Sequence, residues 1–202
     1  VILWAWILTV GAKNIEPRFD GKKITNDVFW NTAEGMPLYS QGGGIFRYPD
    51  PDTGRLRYYW YGVRYAEAVR YREDPSVTYP ACTFEAVTCY SSDDLINWYY
   101  EGDVLTREEV DRYGRAGWVG RMGVAYLEAW NQYVLVVQHD NGVLFALSHT
   151  PNGRFTWHRR ITMEKIIGTP NTGDQTVFVD EDTRKPYLIY SYGRGRNRIY
   201  VS

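Results

Sequence analysis

The sequence has few cysteines, no excess of either charge and no long hydrophobic run. Its 202 residues contain two cysteines, which are too few for a disulfide framework and do not indicate a redox compartment. Lys and Arg number 23 against 24 Asp and Glu, so charge gives no case for a nucleic-acid or acidic-membrane partner. No zinc-spaced His/Cys cluster, phosphate-binding glycine loop or nucleophile elbow appears, and we predict no metal ligands.

The most apolar stretch is "VILWAWILTVGA" at residues 1–12, which is too short to span a bilayer. It has two interpretations: the remnant of a secretory signal, or a buried first strand. We favour the signal because residues 13–35 begin with the polar "KNIEPRFDGKK", as a leader into a mature domain would. This predicts a secreted or periplasmic protein with no membrane partner.

Aromatic residues are abundant, with 18 Tyr and 8 Trp beside 7 Phe. Their flat apolar rings and polar edges suit β-sheets and sugar-binding surfaces alike. In "SQGGGIFRYPDPDTGRLRYYWYGVRY", residues 40–65, three glycines precede a run rich in aromatics. The glycines fit either a close backbone approach to a ligand or a bulge at the start of a strand, and both readings stay open.

A repeated pattern occurs after residue 36, where short β-rich segments alternate with turn residues. Three segments align: "GGGIFRYPDPDTGRLRYYWYG", "RMGVAYLEAWNQYVLVVQHD" and "DQTVFVDEDTRKPYLIYSYG". Tyr58, Tyr133 and Tyr187 occupy equivalent places in them. The first two copies are each followed by a second hairpin, and the third copy ends after one further strand. The repeating unit is therefore four antiparallel strands.

A four-stranded repeat of this size is typical of a propeller blade. We predict an all-β protein in which residues 36–202 form a partial β-propeller, with blades at about residues 36–103, 115–162 and 168–202. A β-sandwich is the main rival, but the repeated strand order argues against it. Because a ring needs roughly four to eight blades, we expect the sequence to be part of a longer protein.

Several motifs resemble glycoside hydrolase family 43, in particular the branch of the exo-β-1,3-galactanases. They are "EGMPLYSQGGGIF", "YYWYG", "VTCYSSDDLINW" and "DQTVFVDEDTRKPYLIY", and the likeness runs from about residue 31 to the end. The resemblance implies a five-bladed propeller that hydrolyses galactose- or arabinose-containing plant-type polysaccharide by a single, inverting displacement. It implies no cofactor, and it leaves open a structural calcium in the channel of the full protein.

The family pairs a carboxylate base with a carboxylic acid, and a third Asp raises the pKa of that acid by like-charge repulsion. Asp174, in "TGDQTVFVD", matches the third Asp; the alternative is a cap on the turn before a strand. The acid is expected in a later blade beyond Ser202, so we expect this piece alone to be inactive. The Gly42–Gly44 run stands where most of the family has the base, as in the galactanase branch.

The resemblance also implies residues that bind substrate. Gln41 is expected to bond a sugar hydroxyl, the N–H groups of Gly42 and Gly43 to approach the sugar, and Arg121 to grip adjacent hydroxyls. Two departures bear on specificity. Val63 and the Gly before Arg121 stand where galactanases have Glu residues that would touch the terminal sugar. Arabinofuranose or another galactoside is therefore as open as galactan.

Three further residues end strands at the expected channel. His139 closes "YVLVVQH", where relatives also have His, and it fits either a structural hydrogen bond or a sugar contact. Tyr61 and Tyr192 end equivalent strands and fit either a stacking wall for the sugar or ordinary packing. Because the base is missing, a non-catalytic carbohydrate-binding propeller is the alternative to a glycosidase. The predicted partner is an oligo- or polysaccharide in both cases.

Overall fold

The computed structural model describes residues 23–113, 117–168, 173–192 and 198–202. The apolar run at residues 1–12 and the first part of the leader lie outside these ranges, so the secretory signal stays a prediction. In the ranges that are described, no helix is both long enough and apolar enough to cross a bilayer.

The described strands form three antiparallel sheets, and within each sheet the spatial order follows the chain. The first sheet consists of β1 (Gln41–Pro49), β2 (Leu56–Tyr65), β3 (Phe84–Ser92) and β4 (Tyr99–Thr106). The second consists of β5 (Val119–Leu127), β6 (Gln132–His139), β7 (Gly142–Ser148) and β8 (Thr156–Ile161), and the third of β9 (Gln175–Val179), β10 (Pro186–Tyr192) and β11 (Arg198–Val201). Short helices are α1 (Ala68–Glu73), α2 (Arg107–Arg112) and α3 (Glu164–Ile167), with a 3-10 turn at Glu128–Trp130.

Strand β6 shows why the middle of a central strand can be apolar without interruption, as it is from Tyr133 to Val137. Its side chains alternate between faces, and both faces are covered. Leu135 and Val137 are buried in a core shared with the first sheet, whereas Val134 and Val136 are buried in a core shared with the third. A strand packed on both sides by neighbouring sheets has no solvent face, which explains the unbroken apolar sequence.

The first strand of each sheet lies nearest the centre of the arrangement. β1 lies beside β5, and β5 lies beside β9. Tyr58, Tyr133 and Tyr187 each pair with the first strand of their own sheet, which confirms the alignment of the repeats. The sheets are thus three blades of a β-propeller, arranged as an open segment of a ring.

Tyrosine hydroxyls connect the first two blades. Three tyrosines of blade 1 donate to backbone carbonyls of blade 2: Tyr48 to Val124 at 2.7 Å, Tyr61 to Pro151 at 2.6 Å and Tyr65 to Val119 at 2.7 Å. A phenol fills an interface as Phe would and also satisfies a buried carbonyl. Part of the high tyrosine content is therefore accounted for by packing between blades.

The described end of the leader packs on blade 1. The Ala33 N–H donates to the Trp98 carbonyl at 2.8 Å. The indole of Trp30 meets that of Trp60 edge to face with centroids 5.8 Å apart, and Trp60 meets Trp98 at 5.2 Å. These contacts bury Trp98, which is 1% exposed.

Candidate functional site

The edge of the ring at which β1, β5 and β9 begin, here called the upper edge, brings together three of the residues singled out in the sequence. Asp174 directly precedes β9, and its carbonyl accepts the Ser191 N–H at 2.8 Å, which fixes its backbone to β10. Arg121 is the third residue of β5. Its Nε donates to Asp174 Oδ1 at 3.4 Å, and both side chains are 43% exposed. A cation and a carboxylate from adjacent blades therefore face solvent side by side.

Gly42 of β1 is the third member of this cluster. It has φ of +70°, a conformation that glycine adopts readily and other residues rarely. A Cβ at this position would lie 3.1 Å from Nη1 and 3.2 Å from Cδ of Arg121. The absence of a side chain lets the Arg121 guanidinium lie against the backbone of blade 1. Gly42, Arg121 and Asp174 thus form one cluster built from three blades.

Gly43 is required for a different reason. A Cβ on it would lie 1.5 Å from the Tyr61 carbonyl oxygen, so only glycine permits this approach of β1 to β2. The ladder between these strands shifts register between Gln41 and Gly44, which is the bulge that the sequence left as one alternative. The glycine run therefore changes the course of β1 at its start. A contact between its N–H groups and a sugar stays a prediction.

Gln41 is exposed at the start of β1. It lines a largely apolar cavity of about 560 Å³ that is also bordered by Tyr65, Tyr71 and Tyr79. One wall of this cavity comes from α1 and the segment after it, which form the charged insertion between β2 and β3. Gln41 therefore lies next to Gly42 in the chain, but it borders a separate depression.

The structure places Tyr61 away from any surface, which corrects its assignment as a sugar-stacking residue. It lies in the middle of β2 rather than at its end, and it is 0% exposed. Its ring meets Phe155 edge to face, at a centroid distance of 6.3 Å, and its hydroxyl bonds to the Pro151 carbonyl. With no ring face open, Tyr61 packs the interface between blades 1 and 2.

His139 is also buried, at 1% exposure. Its Nδ1 accepts from Arg160 Nε at 3.0 Å, and Arg160 Nη2 donates to the His139 carbonyl at 3.2 Å. Gly117 covers the other ring nitrogen, because a Cβ there would lie 2.5 Å from Nε2. These contacts match the structural alternative for His139, and a sugar contact of its imidazole stays a prediction.

Tyr192 ends β10 at the upper edge and is half-buried. Its ring lies at a tilt to that of Tyr200, with centroids 6.0 Å apart. Tyr192 follows Ser191, whose N–H donates to the Asp174 carbonyl at 2.8 Å. Because Tyr61 is buried, the two tyrosines do not form a stacking wall together, and a sugar contact of Tyr192 stays a prediction.

Two residues that the sequence analysis did not single out lie beside Arg121. The Tyr65 hydroxyl is held by the Val119 carbonyl, and burial raises the pKa of Tyr65 to about 12. The Cys82 thiol raises this pKa further, whereas the Arg121 guanidinium and a hydrogen bond from the Trp118 side chain lower it. Tyr65 is thus fixed to the start of β5, at the residue that follows Trp118. Trp118 precedes β5 and falls outside the repeat, so no repeat position marked it.

A metal centre would need converging ligands. Across the parts of the chain that the structure describes, no three His, Cys, Asp or Glu side chains lie together as such a site requires. The side chains described above at the upper edge are a carboxylate, a guanidinium and aromatic rings, a set suited to polyhydroxylated ligands.

Solved structures of known proteins are similar to this chain in fold. No protein-family model matches the chain, and no curated protein matches it. An exo-β-1,3-galactanase from Clostridium thermocellum shares 27% identity with a TM-score of 0.64, over 83% of this chain and 35% of that protein. An exo-β-1,3-galactanase from Phanerochaete chrysosporium, solved with β-1,3-galactotriose, shares 23% identity with a TM-score of 0.68, over 87% of this chain and 37% of that one.

A family GH43 β-1,3-galactosidase is similar as well, with 22% identity and a TM-score of 0.68 over 90% of this chain and 35% of its own. The chain thus spans little more than a third of the length of each of these three proteins. The sequence motifs that lie at the upper edge indicate the same family. These likenesses confirm the resemblance to glycoside hydrolase family 43 and its exo-β-1,3-galactanases, and the chain has the fold of one part of such a propeller.

Proposed function

We propose that the chain is part of a secreted glycoside hydrolase that cleaves galactose- or arabinose-containing polysaccharide by a single, inverting displacement. The observation that carries this proposal is the cluster of Gly42, Arg121 and Asp174, which joins the first strands of three blades at one edge of the ring. The likeness to solved β-1,3-galactanases, one of them holding β-1,3-galactotriose, supports galactose as the first sugar to test.

In this proposal Arg121 binds both the Asp174 carboxylate and the hydroxyls of the substrate. Its Nε is directed to Asp174, and a guanidinium carries further N–H donors in a fixed fork that can span neighbouring hydroxyls. The bare backbone at Gly42 leaves room for the guanidinium plane. Arg121 would thus orient the sugar and keep Asp174 directed at the reacting centre.

Asp174 would act on a carboxylic acid supplied by a part of the protein outside this chain. Inverting hydrolysis needs two carboxyl groups separated by about 6.5–9.5 Å so that a water fits beneath the sugar ring. A third carboxylate next to the acid disfavours a second negative charge and keeps the acid protonated until it meets the leaving oxygen. We therefore assign Asp174 the role of orienting the acid and raising its pKa, so that the acid can deliver its proton.

The test is hydrolysis by the full-length protein of β-1,3-galactan, an aryl β-galactoside and an aryl α-arabinofuranoside. Proton NMR of the first product formed reports its anomeric configuration. We expect release of a monosaccharide with inverted configuration from at least one substrate. A retained configuration would contradict the single displacement. Absence of any hydrolysis would contradict the proposal that the protein is a glycoside hydrolase.

A carbohydrate-binding propeller without catalysis is the second candidate, and one observation favours it. Neither position at which the galactanase branch has Glu offers a carboxylate here: Val63 is buried at 1% exposure, and Gly120 lies beneath the Trp118 ring. Binding of β-1,3-galactotriose by calorimetry without hydrolysis would select this candidate. Measured turnover would reject it.

A further inference from the structure

A second depression opens at the upper edge, between blades 1 and 2 and outward from Arg121. Its volume is about 290 Å³, just below the ~300–1,000 Å³ range of sites for drug-sized ligands. Its walls carry an indole, a guanidinium, two carboxylates and a hydroxyl: Trp118, Arg107, Asp111, Asp140 and Thr83. An aromatic face combined with hydrogen-bonding groups of both kinds matches the apolar face and the hydroxyls of a sugar.

The indole of Trp118 is held in place rather than loosely exposed. Its backbone N–H donates to Asp140 Oδ1 at 2.8 Å, and its carbonyl accepts the Asp140 N–H at 2.8 Å. The ring lies over Gly120, where a Cβ would be 2.2 Å from Cη2 and 2.5 Å from Cζ3. The residue is nevertheless 40% exposed. A fixed aromatic ring that keeps one side open is a platform for stacking.

This depression lies close along the chain to the cluster already described, because Trp118 directly precedes β5 and Arg121 is the third residue of that strand. The Tyr65 hydroxyl is anchored at 2.7 Å on the carbonyl of Val119, which lies between Trp118 and Arg121 in the chain. Trp118 and Arg121 are three residues apart, so their Cα atoms are separated by at most ~10 Å. One oligosaccharide can therefore reach both.

We infer that the depression lined by Trp118 is a second sugar subsite, which holds the neighbouring unit of a chain whose terminal sugar lies at Arg121 and Asp174. This inference rests on the proposed function and adds to it the place at which the second sugar unit of the polysaccharide is bound. Trp118 stacks on the apolar face of that unit, and Gly120 is glycine because any side chain there would displace the indole.

The experiment compares β-1,3-galactotriose and an arabinotriose with the corresponding aryl monoglycosides in the full-length protein. Trp118→Ala should raise the ratio of KM for the trisaccharide to KM for the aryl glycoside about tenfold, the size of one lost stacking contact. Gly120→Ala should shift the ratio in the same direction by moving the ring, and Trp118→Phe should give an intermediate value.

Trp130→Ala is the matched control, because Trp130 is 54% exposed on the same blade but follows the opposite end of β5. It should leave the ratio unchanged. An active wild-type protein whose ratio is unaltered in both Trp118→Ala and Gly120→Ala would overturn the subsite and leave the proposed function standing. If the wild type neither hydrolyses nor binds either trisaccharide, both fail together. If it only binds, the same variants should raise the Kd for the trisaccharide about tenfold.

Discussion

Gly42 and Gly43 are adjacent in the sequence, yet their substitution should have different consequences. Gly42→Ala places a methyl group against the Arg121 guanidinium, so we expect kcat/KM of the full-length enzyme to fall about tenfold or more through loss of a charged hydrogen bond. Gly43→Ala forces a methyl group into the Tyr61 carbonyl oxygen and should instead prevent the strands from pairing. Steady-state kinetics and thermal melts separate the two. An unfolded Gly42→Ala with an active Gly43→Ala would contradict this assignment.

Tyr61 is predicted to contribute to the stability of the fold and not to sugar binding. Tyr61→Phe removes the donor to the Pro151 carbonyl in a fully buried site, which should lower the free energy of unfolding by about 1–3 kcal/mol. Denaturant unfolding measures this loss, with Tyr187→Phe as a control, since no hydrogen bond of the Tyr187 hydroxyl is described. A raised KM for the sugar with unchanged stability would restore Tyr61 to the binding site.

The sequence could identify Arg121 and Asp174 through motif resemblance, and the structure brings these two together. It could not decide between packing and stacking for Tyr61, because alternation gives no information where both faces of a strand are buried. Trp118 was missed for another reason: its role depends on the missing side chain of Gly120 and on Asp140, which lies in the turn between β6 and β7. Such a site exists only after β5 and β6 have paired.

At the scale of elements, the turn after β3 shows how the motif "SSDDLINW" works. Ser92 Oγ accepts the Leu95 N–H at 2.9 Å, and Asp94 Oδ1 accepts the N–H groups of Ile96 and Asn97 at 2.9 and 2.8 Å. Leu95 has φ of +64°, and the turn delivers Trp98 into the core. The motif is therefore a structural device of the hairpin, and the sequence was sufficient to predict its presence.

The same turn gives a prediction of pH dependence. Burial acts to raise the pKa of Asp94, but hydrogen bonds from Asn97, Ile96 and Ser92 outweigh it and lower the pKa from 3.8 to about 2. Because the folded value lies below the unfolded one, the stabilisation is present above about pH 4 and is lost as the pH falls through 2. Asp94→Asn should lower Tm at pH 7, and the difference from wild type should disappear near pH 2.

Thermal melts of both proteins between pH 2 and 7 measure this difference. Asp182→Asn, in an exposed hairpin turn, serves as the control and should follow the wild type throughout. A difference in Tm between Asp94→Asn and wild type that is constant with pH would show that the carboxylate charge has no part in the turn.

At the scale of the whole molecule, the repeats were enough to predict the blades, because each blade repeats one pattern of strand, turn and strand. The number of blades in the complete ring came from resemblance alone. What the repeats could not give is the arrangement at the upper edge, since Gly42, Arg121 and Asp174 belong to three different blades and meet only when these pack around a common centre.

The open edge of the ring predicts that the 202-residue chain associates with itself when it is produced alone. Strands of the third sheet expose Phe178, Ile199 and Val201, at 50%, 76% and 62%, and exposed apolar strands promote association. We expect the isolated chain to self-associate, and Ile199→Lys with Val201→Lys to reduce this, as measured by light scattering after size exclusion. A monomeric wild-type chain that unfolds cooperatively would contradict the expectation.

The most direct test of the central claim, that blades converge on a catalytic Asp174, is the turnover of Asp174→Asn in the full-length protein. On the substrate that the wild type cleaves best, we predict that kcat falls at least about a hundredfold, because the acid that Asp174 orients and keeps protonated contributes about 10²–10⁴-fold to the rate. KM should change little, and Asp182→Asn from the same blade should remain at the wild-type rate. Wild-type turnover in Asp174→Asn would contradict the account.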